Sequence, residues 1–275
     1  MSKIEMKLRR SLPELLQKKA LGEKLSMVTC YDATMAKLIN QTEIDMVLVG
    51  DSLGNVMMGY SGTLQVTLDH MIVYGGSVAR ALKKAFLVID MPFMSYQISA
   101  EQALENAGRL VKEAGAEAVK LEGGKAVAGA VRKISEAGIP VIGHLGLTPQ
   151  SIHVIGSYRV VGRGEKAAQD LLEDALALEA AGASMLVLEM VPESLAKRVS
   201  EAISIPTIGI GAGRFVDGQV LVLQDLLGFD EDFSPKFLKK YADLGAVVRT
   251  ALTQYNDEVK CKTFPDQEHS FGDKK

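Results

Sequence analysis

Short apolar runs alternate with longer amphipathic runs along nearly the whole of the 275-residue chain. The runs at 25–30, 46–50, 86–91, 118–121, 140–144, 185–190, 206–210 and 220–223 are predicted as strands. Helical periodicity marks the stretches near 34–40, 68–83, 127–136, 167–180 and 193–202, and another begins at Ser99. Ser99-Ala100-Glu101-Gln102 is a capping box, as is Ser11-Leu12-Pro13-Glu14, after which Leu12, Leu15 and Leu16 share one helical face. That second box predicts a short N-terminal helix packed on the body of the protein. Ser234-Pro235 predicts the start of a last helix, because Ser suits the N-cap and Pro the first helical position.

The strands read as continuous apolar runs, the pattern of parallel strands buried on both faces. Three helices end on Glu113-Ala114-Gly115, Glu136-Ala137-Gly138 and Ala180-Ala181-Gly182, each followed at once by a strand. Glycine there supplies a left-handed C-terminal cap. About eight such helix–stop–strand units predict an α/β protein of the (β/α)8 TIM-barrel type with a short N-terminal helix. An open doubly wound sheet is the rival architecture. No Pro-, Gly- or Ser-rich linker divides the chain, so a single domain is expected over 1–275. Within it, 1–23 reads as a helical extension and 260–275 as a polar tail, mobile or lying on a neighbouring subunit.

Hydrophobic residues make up 47% of the chain and charged residues 24%, enough for one large core. The formal net charge of -3 gives no electrostatic footprint for nucleic acid or an anionic membrane. The N-terminus lacks the apolar stretch of a signal peptide, and no segment reads as a bilayer span. Cys30 and Cys261 make neither a metal-type pair nor a disulfide framework, and Cys30 reads as buried packing. A reducing cytoplasm is the expected location.

In a barrel all strand C-termini open on one face, and chemistry resides there. Strand ends carry Asp51-Ser52, Asp90, Lys120-Leu121-Glu122, His144 and Glu189, and the seventh strand runs into Gly209-Ile210-Gly211-Ala212-Gly213. Singly, each has a structural reading: an Asp caps a helix, a His satisfies a core bond, a Glu pairs with a neighbour. Together, Asp51, Asp90, Glu122 and Glu189 bring four carboxylates to one mouth, where like charges repel strongly. A divalent cation relieves that repulsion, and an oxygen-only donor set selects magnesium over zinc. Magnesium takes one or two carboxylates plus water and substrate, so one acid remains free as a base. Lys120 suits a substrate anion, and nearby acids that hold it charged argue against a Schiff-base role. The glycine-rich stretch is equally readable as a phosphate cradle or a tight turn.

Gly50-Asp51-Ser52-Leu53 also spells the nucleophile motif of GDSL-type hydrolases, and Asp266-Gln267-Glu268-His269 supplies the matching Asp-x-x-His. That triad requires the polar tail to fold back onto Ser52. The Gly-x-Asn-Asp block of that group is missing, and the repeat count favours a barrel.

Taken together, the motifs resemble the ketopantoate hydroxymethyltransferase family. The matching stretches are Val49-Gly50-Asp51-Ser52-Leu53-Gly54, Asp90-Met91-Pro92-Phe93-Met94 and Val119-Lys120-Leu121-Glu122-Gly123-Gly124. Gly143-His144-Leu145-Gly146-Leu147-Thr148-Pro149-Gln150 continues the match, as do the run 174–183, Ile208-Gly209-Ile210-Gly211-Ala212-Gly213 and Glu268-His269-Ser270-Phe271. The likeness covers nearly the whole chain and is weaker after Gly228. It implies a (β/α)8 barrel, Mg2+ and a homo-oligomer, commonly a decamer. It implies transfer of a hydroxymethyl group from 5,10-methylenetetrahydrofolate to 3-methyl-2-oxobutanoate, giving 2-dehydropantoate in pantothenate synthesis. By match to the family motifs, Asp51, Asp90 and Glu122 are metal-site residues. Asp51, Ser52, Asp90 and Lys120 hold the oxo acid, and Glu189 is the proton acceptor; His144 is a possible accessory. The alternatives are a magnesium-dependent lyase or mutase of the phosphoenolpyruvate-mutase type, a GDSL-type serine hydrolase, and a barrel that binds metabolites without turnover.

Overall fold

The computed structural model describes residues 9–272. The first eight residues of the predicted extension and the last three of the tail lie outside the described residues. The chain divides into two compact units, with the boundary in the sequence between Val222 and Leu223.

The first unit contains α1 (Leu12–Leu21), β1 (Leu25–Thr29), α2 (Ala33–Ile39), β2 (Met46–Val49), α3 (Leu53–Val56), α4 (Leu68–Ala81) and β3 (Phe86–Asp90). It continues with α5 (Ala100–Ala114), β4 (Ala118–Glu122), α6 (Ala128–Glu136), β5 (Val141–Gly146), α7 (Ile152–Ile155) and α8 (Glu165–Ala180). It ends with β6 (Met185–Glu189), α9 (Glu193–Ala202), β7 (Thr207–Ile210) and β8 (Gly218–Leu221). All strands pair parallel in chain order, and β8 closes on β1. This is the predicted (β/α)8 barrel, and closure rules out the open doubly wound sheet. The three expected glycine stops all have positive φ: 74° for Gly115, 84° for Gly138 and 97° for Gly182.

Strand side chains alternate between the two faces of the sheet. One parity fills the barrel: Leu25 and Met27, Met46 and Leu48, Phe86 and Val88, Ala118, Ile142, Met185 and Val187, Ile208 and Val220 form one buried cluster. The other parity meets the helices. A Cβ on Gly75 of α4 would lie 2.5 Å from Ile89, and one on Gly143 would lie 2.8 Å from Leu178 of α8. Leu15 of α1 is fully buried in the barrel cluster, with Leu12 and Leu16 against it. Leu25, Met46, Phe86, Ala118 and Met185 of this cluster are the first residues of their strands, so α1 plugs the N-terminal end of the barrel.

Charged bonds hold that plug. Lys18 Nζ reaches Asp45 Oδ1 at 2.7 Å, and Arg10 Nη1 reaches the same oxygen at 3.0 Å. Lys19 Nζ donates to the carbonyls of Ser200, Ile203 and Ile205 at 2.9–3.1 Å. The carbonyls at the C-terminal end of α9 thereby gain a cation.

Two strands differ from expectation by two residues at an end, the others by one. β5 runs on to Gly146, because its ladder with β6 continues through Leu145–Leu188 and Gly146–Glu189. Gly146 has φ 94°, and a Cβ there would lie 2.2 Å from the Glu189 carbonyl oxygen. Glycine is required at that close approach. β8 begins at Gly218, two residues before the predicted run, because pairing with β1 and β7 fixes it rather than apolar content.

The second unit holds α10 (Leu223–Leu226) and α11 (Leu244–Lys260). The predicted helix start at Ser234-Pro235 is not observed. Leu238 N–H closes a turn onto the Pro235 carbonyl, and the helix begins only after Asp243, whose side chain accepts from Ala246 N–H. Tyr241, Leu244 and Gly245 N–H groups instead satisfy the Leu226, Leu227 and Gly228 carbonyls. Those bonds hold the segment off a helical path. The tail turns back on α11: Thr263 N–H reaches the Glu258 carbonyl, and Phe264 packs edge-on against Tyr255. Among the described residues, no helix is long and apolar enough to cross a membrane.

Candidate active site

The parity that fills the barrel with apolar side chains turns polar at the strand C-termini. Phe86 and Val88 are followed by Asp90, Ala118 by Lys120 and Glu122, Ile142 by His144, and Met185 and Val187 by Glu189. Strand register makes Asp90 a neighbour of Lys120, and Glu122 a neighbour of His144. Asp51 and Ser52 follow β2 directly. Asp51, Asp90, Lys120, Glu122 and His144 are each at most 6% exposed, whereas the Glu189 side chain retains 20%.

Each buried carboxylate gives one oxygen to an N–H donor. Asp90 Oδ2 accepts from Asp51 N–H at 3.0 Å, Asp51 Oδ2 from the Gln150 amide at 2.8 Å, and Glu122 Oε2 from Gln150 N–H at 3.0 Å. The other oxygens of Asp90 and Glu122 meet cationic or titratable nitrogens. Lys120 Nζ lies 3.1 Å from Asp90 Oδ1, and His144 Nδ1 lies 3.3 Å from Glu122 Oε1. Asp90 Oδ1 is buried without a well-aligned hydrogen bond. His144 Nε2 stands 3.3 Å from Glu189 Oε2, within ion-pair range but not aligned as a hydrogen bond.

Burial pushes the Asp51 carboxyl well above its ordinary value, and the charges of Asp90 and Glu122 add to this. Asp90 is raised too, by burial, although Lys120 opposes the shift. For Lys120, burial favours the neutral amine, yet Asp90, Glu122 and Asp51 outweigh it and hold the ammonium charged. A charged lysine is no imine-forming nucleophile. Burial and the Lys120 charge push His144 down, but Glu122 and Glu189 hold it up at about 9.

The chemistry of this donor set suits a hard cation: buried carboxylate oxygens of net acidic character, one of them with an ion pair but no aligned hydrogen bond. Among the described residues, no three His, Cys, Asp or Glu side chains stand as a ready metal cage. A cation held by one or two carboxylates plus water and substrate, as magnesium is, needs no such cage.

Ser52 Oγ pairs with Tyr31 OH at 2.8 Å. Asp266 pairs with His269 within the second unit at 2.7 Å. The glycine-rich stretch is a tight turn with an acidic neighbour. A Cβ on Gly213 would strike Glu193, and Arg214 N–H and Nε both donate to the Glu193 carboxylate. Donors already engaged by a carboxylate make a poor phosphate cradle. Tyr31, Tyr96 and Gln150 are not candidates from sequence, yet all three are buried and bonded to site residues: Tyr31 to Ser52, Tyr96 to Glu122 N–H and Gln150 to Asp51.

The model of the family described as ketopantoate hydroxymethyltransferase matches residues 9–267. The chain belongs to the ketopantoate hydroxymethyltransferase family. A family relative from Syntrophus aciditrophicus (strain SB), a 3-methyl-2-oxobutanoate hydroxymethyltransferase, is 54% identical over 92% of this chain and 93% of its own. A second, with the same name and from Syntrophotalea carbinolica (strain DSM 2380 / NBRC 103641 / GraBd1), is 52% identical over 97% of this chain and 100% of its own. Beyond the family, the fold is similar to a phosphonopyruvate hydrolase solved in complex with oxalate and Mg++. The TM-score is 0.61 at 11% identity, over 94% of this chain and 93% of that one. At that identity the likeness concerns the fold alone.

Proposed function

We propose that this chain catalyses the reaction of its family: hydroxymethyl transfer from 5,10-methylenetetrahydrofolate to 3-methyl-2-oxobutanoate, forming 2-dehydropantoate. The observation that carries this reading is the division of labour among four acids at one barrel mouth. Asp51, Asp90 and Glu122 are buried and engaged with N–H groups, while Glu189 alone keeps substantial exposure.

In this reading Asp51, Asp90 and Glu122 hold Mg2+, which when bound polarises the ketone of the oxo acid as a Lewis acid. Lys120, kept charged by its neighbours, balances the substrate carboxylate. Ser52, oriented by Tyr31, donates a hydrogen bond to that carboxylate. Glu189 accepts the proton from the carbon beside the ketone, help typically worth about 10²–10⁴ in rate. The enolate electrons then form the new carbon–carbon bond to the methylene carbon of the folate, whose two carbon–nitrogen bonds break in turn. One electron pair goes to each folate nitrogen, water supplies the hydroxyl of the product, and reprotonated tetrahydrofolate leaves. His144, beside both Glu122 and Glu189, supports the charge carried by the base. Closure of both reactants in one mouth supplies further acceleration.

The decameric homo-oligomer of the family is part of the proposal, as is a cytoplasmic location. The apolar side chains that α11 leaves exposed, among them Val247, Leu252 and Tyr255, support association with other copies. Light scattering on the purified protein tests the assembly.

A lyase or mutase of the phosphoenolpyruvate-mutase type is the second reading, favoured by the fold likeness alone. Turnover of 3-methyl-2-oxobutanoate with and without methylenetetrahydrofolate separates the two. Folate-dependent formation of 2-dehydropantoate is expected; carbon–carbon cleavage without folate contradicts the proposal. A silent metabolite-binding barrel predicts binding with no turnover in either arm.

A further inference from the structure

Gln150 lies in the short turn Pro149–Ser151 after β5 and is only 6% exposed. Its side-chain nitrogen donates to Asp51 Oδ2 at 2.8 Å and to the Met91 carbonyl at 3.0 Å. Its side-chain oxygen accepts from Tyr96 OH at 2.6 Å and from the Gln97 amide at 3.3 Å. Its peptide N–H, free in the first turn of a helical segment, donates to Glu122 Oε2 at 3.0 Å. The Tyr96 hydroxyl in turn accepts from Glu122 N–H at 3.1 Å.

This pattern demands a primary amide. Asp51 and Met91 present acceptors, so both amide hydrogens are needed on that side, and Tyr96 presents a donor to the other side. Glutamate in the same place would set a second carboxylate against Asp51, and methionine would leave all four side-chain partners unmet. Tyr96, whose oxygen already accepts from Glu122 N–H, fixes which way the amide faces together with Asp51: a flipped amide would turn its NH2 toward the Tyr96 and Gln97 donors and its oxygen toward the Asp51 carboxylate. One residue therefore holds an oxygen of Asp51 through its side chain and an oxygen of Glu122 through its backbone, leaving the second oxygen of each carboxylate outside those bonds.

We propose that Gln150 is a positioning residue, locked by Tyr96, that aims the carboxylates of Asp51 and Glu122 at a bound divalent cation. The proposal rests on the magnesium site of the preceding section. Groups that orient metal ligands typically contribute about 10–100-fold to affinity.

The test is calorimetric titration of Mg2+ into wild type, Gln150→Met, Tyr96→Phe, the double variant and Ser200→Ala. Ser200 makes a buried hydrogen bond to Thr207 at 2.6 Å, so its loss reports a structural defect of similar kind away from the site. Gln150→Met should weaken Mg2+ binding by about 10–100-fold. Tyr96→Phe should weaken it less, and the double variant should match Gln150→Met alone, because Tyr96 acts through the amide. Ser200→Ala should lower the melting temperature and leave affinity intact. Turnover of Gln150→Met should recover as Mg2+ is raised, which a misfolded variant cannot do. If Gln150→Met fails to fold, Tyr96→Phe carries the test: unchanged Mg2+ affinity in a folded Tyr96→Phe protein overturns the lock. Wild-type affinity in Gln150→Met, or additive losses in the double variant, overturns the proposal while the metal site stands. Wild type that shows no saturable Mg2+ binding overturns the metal site itself, and the proposal with it.

Discussion

Two buried aspartates at opposite ends of the barrel should respond in opposite directions to the same substitution. Asp45 lies just before β2, at the plugged end, 3% exposed. It accepts from Ser26 N–H at 2.9 Å and pairs with Lys18 and Arg10 at 2.7 and 3.0 Å. Burial pushes its carboxyl up, but the bonds to Lys18 and Ser26 and the Lys18 and Arg10 charges outweigh this and hold it below its ordinary value. Asp45→Asn keeps the shape and removes the charge. Hydrogen bonds to charged groups contribute about 1.5–3 kcal/mol each. Lys18 and Arg10 keep 25% and 27% side-chain exposure and rehydrate when released, which discounts the loss. A net destabilisation of about 2–3 kcal/mol follows, or roughly 4–12 °C in Tm for a chain of this size.

Asp51 is the opposite case. Burial and the Asp90 and Glu122 charges raise its carboxyl well above the ordinary range, so its ionised form costs stability in metal-free protein. Asp51→Asn should raise Tm once Mg2+ is chelated, a trade of stability for function. The pH dependence has opposite sign at the two sites. A depressed Asp45 stabilises fully above the ordinary carboxylate value of about 4 and loses this as pH falls through its lower folded value. A raised Asp51 carries no penalty below about pH 4 and an increasing one as pH rises toward its folded value. Scanning calorimetry of both variants in EDTA between pH 3 and pH 8 (roughly the span of these carboxylates) reads both trends. A lower Tm for Asp51→Asn than for Asp45→Asn at neutral pH would refute the assignment of a stabilising and a functional end.

Asp90→Ala should weaken Mg2+ binding strongly in a titration, because it removes one of few charged ligands; unchanged affinity contradicts the metal site. Ser52→Ala should retain measurable turnover, with much of the loss in KM, since Ser52 only orients substrate. Labelling of Ser52 by a serine-reactive phosphonate would instead revive the hydrolase alternative. Gly146→Ala should destabilise by more than about 1 kcal/mol, because alanine is strained at φ 94° and its Cβ would meet the Glu189 carbonyl. Turnover should fall with it as β6 is displaced, and a silent Gly146→Ala would show that Glu189 tolerates displacement.

The barrel was legible because strands buried on both faces leave uninterrupted apolar runs, and Gly115, Gly138 and Gly182 mark the helix ends. The charged and polar residues at the strand ends were legible for a related reason. Asp90, Lys120, Glu122, His144 and Glu189 break those runs at the parity that otherwise fills the core. Ser234-Pro235 misled because backbone bonds to the end of α10 override local helix preference. The roles of Tyr96 and Gln150 were illegible: Gln150 closes the matched stretch 143–150, but nothing local to either residue marks what it bonds. They stand 54 residues apart in sequence, and Gln150 is 99 residues from Asp51, so only barrel closure brings them together.

The central claim is that Glu189 removes the proton beside the ketone while the buried acids hold the metal. It is tested most directly by proton NMR of 3-methyl-2-oxobutanoate in deuterated water without folate. Wild type with Mg2+ should exchange that proton for deuterium, and the metal-free control should not. Glu189→Gln should bind Mg2+ and the oxo acid normally yet lose exchange and overall turnover by a similar factor. Wild-type exchange in Glu189→Gln would contradict the account and make His144, 3.3 Å from Glu189, the first group to examine as the base.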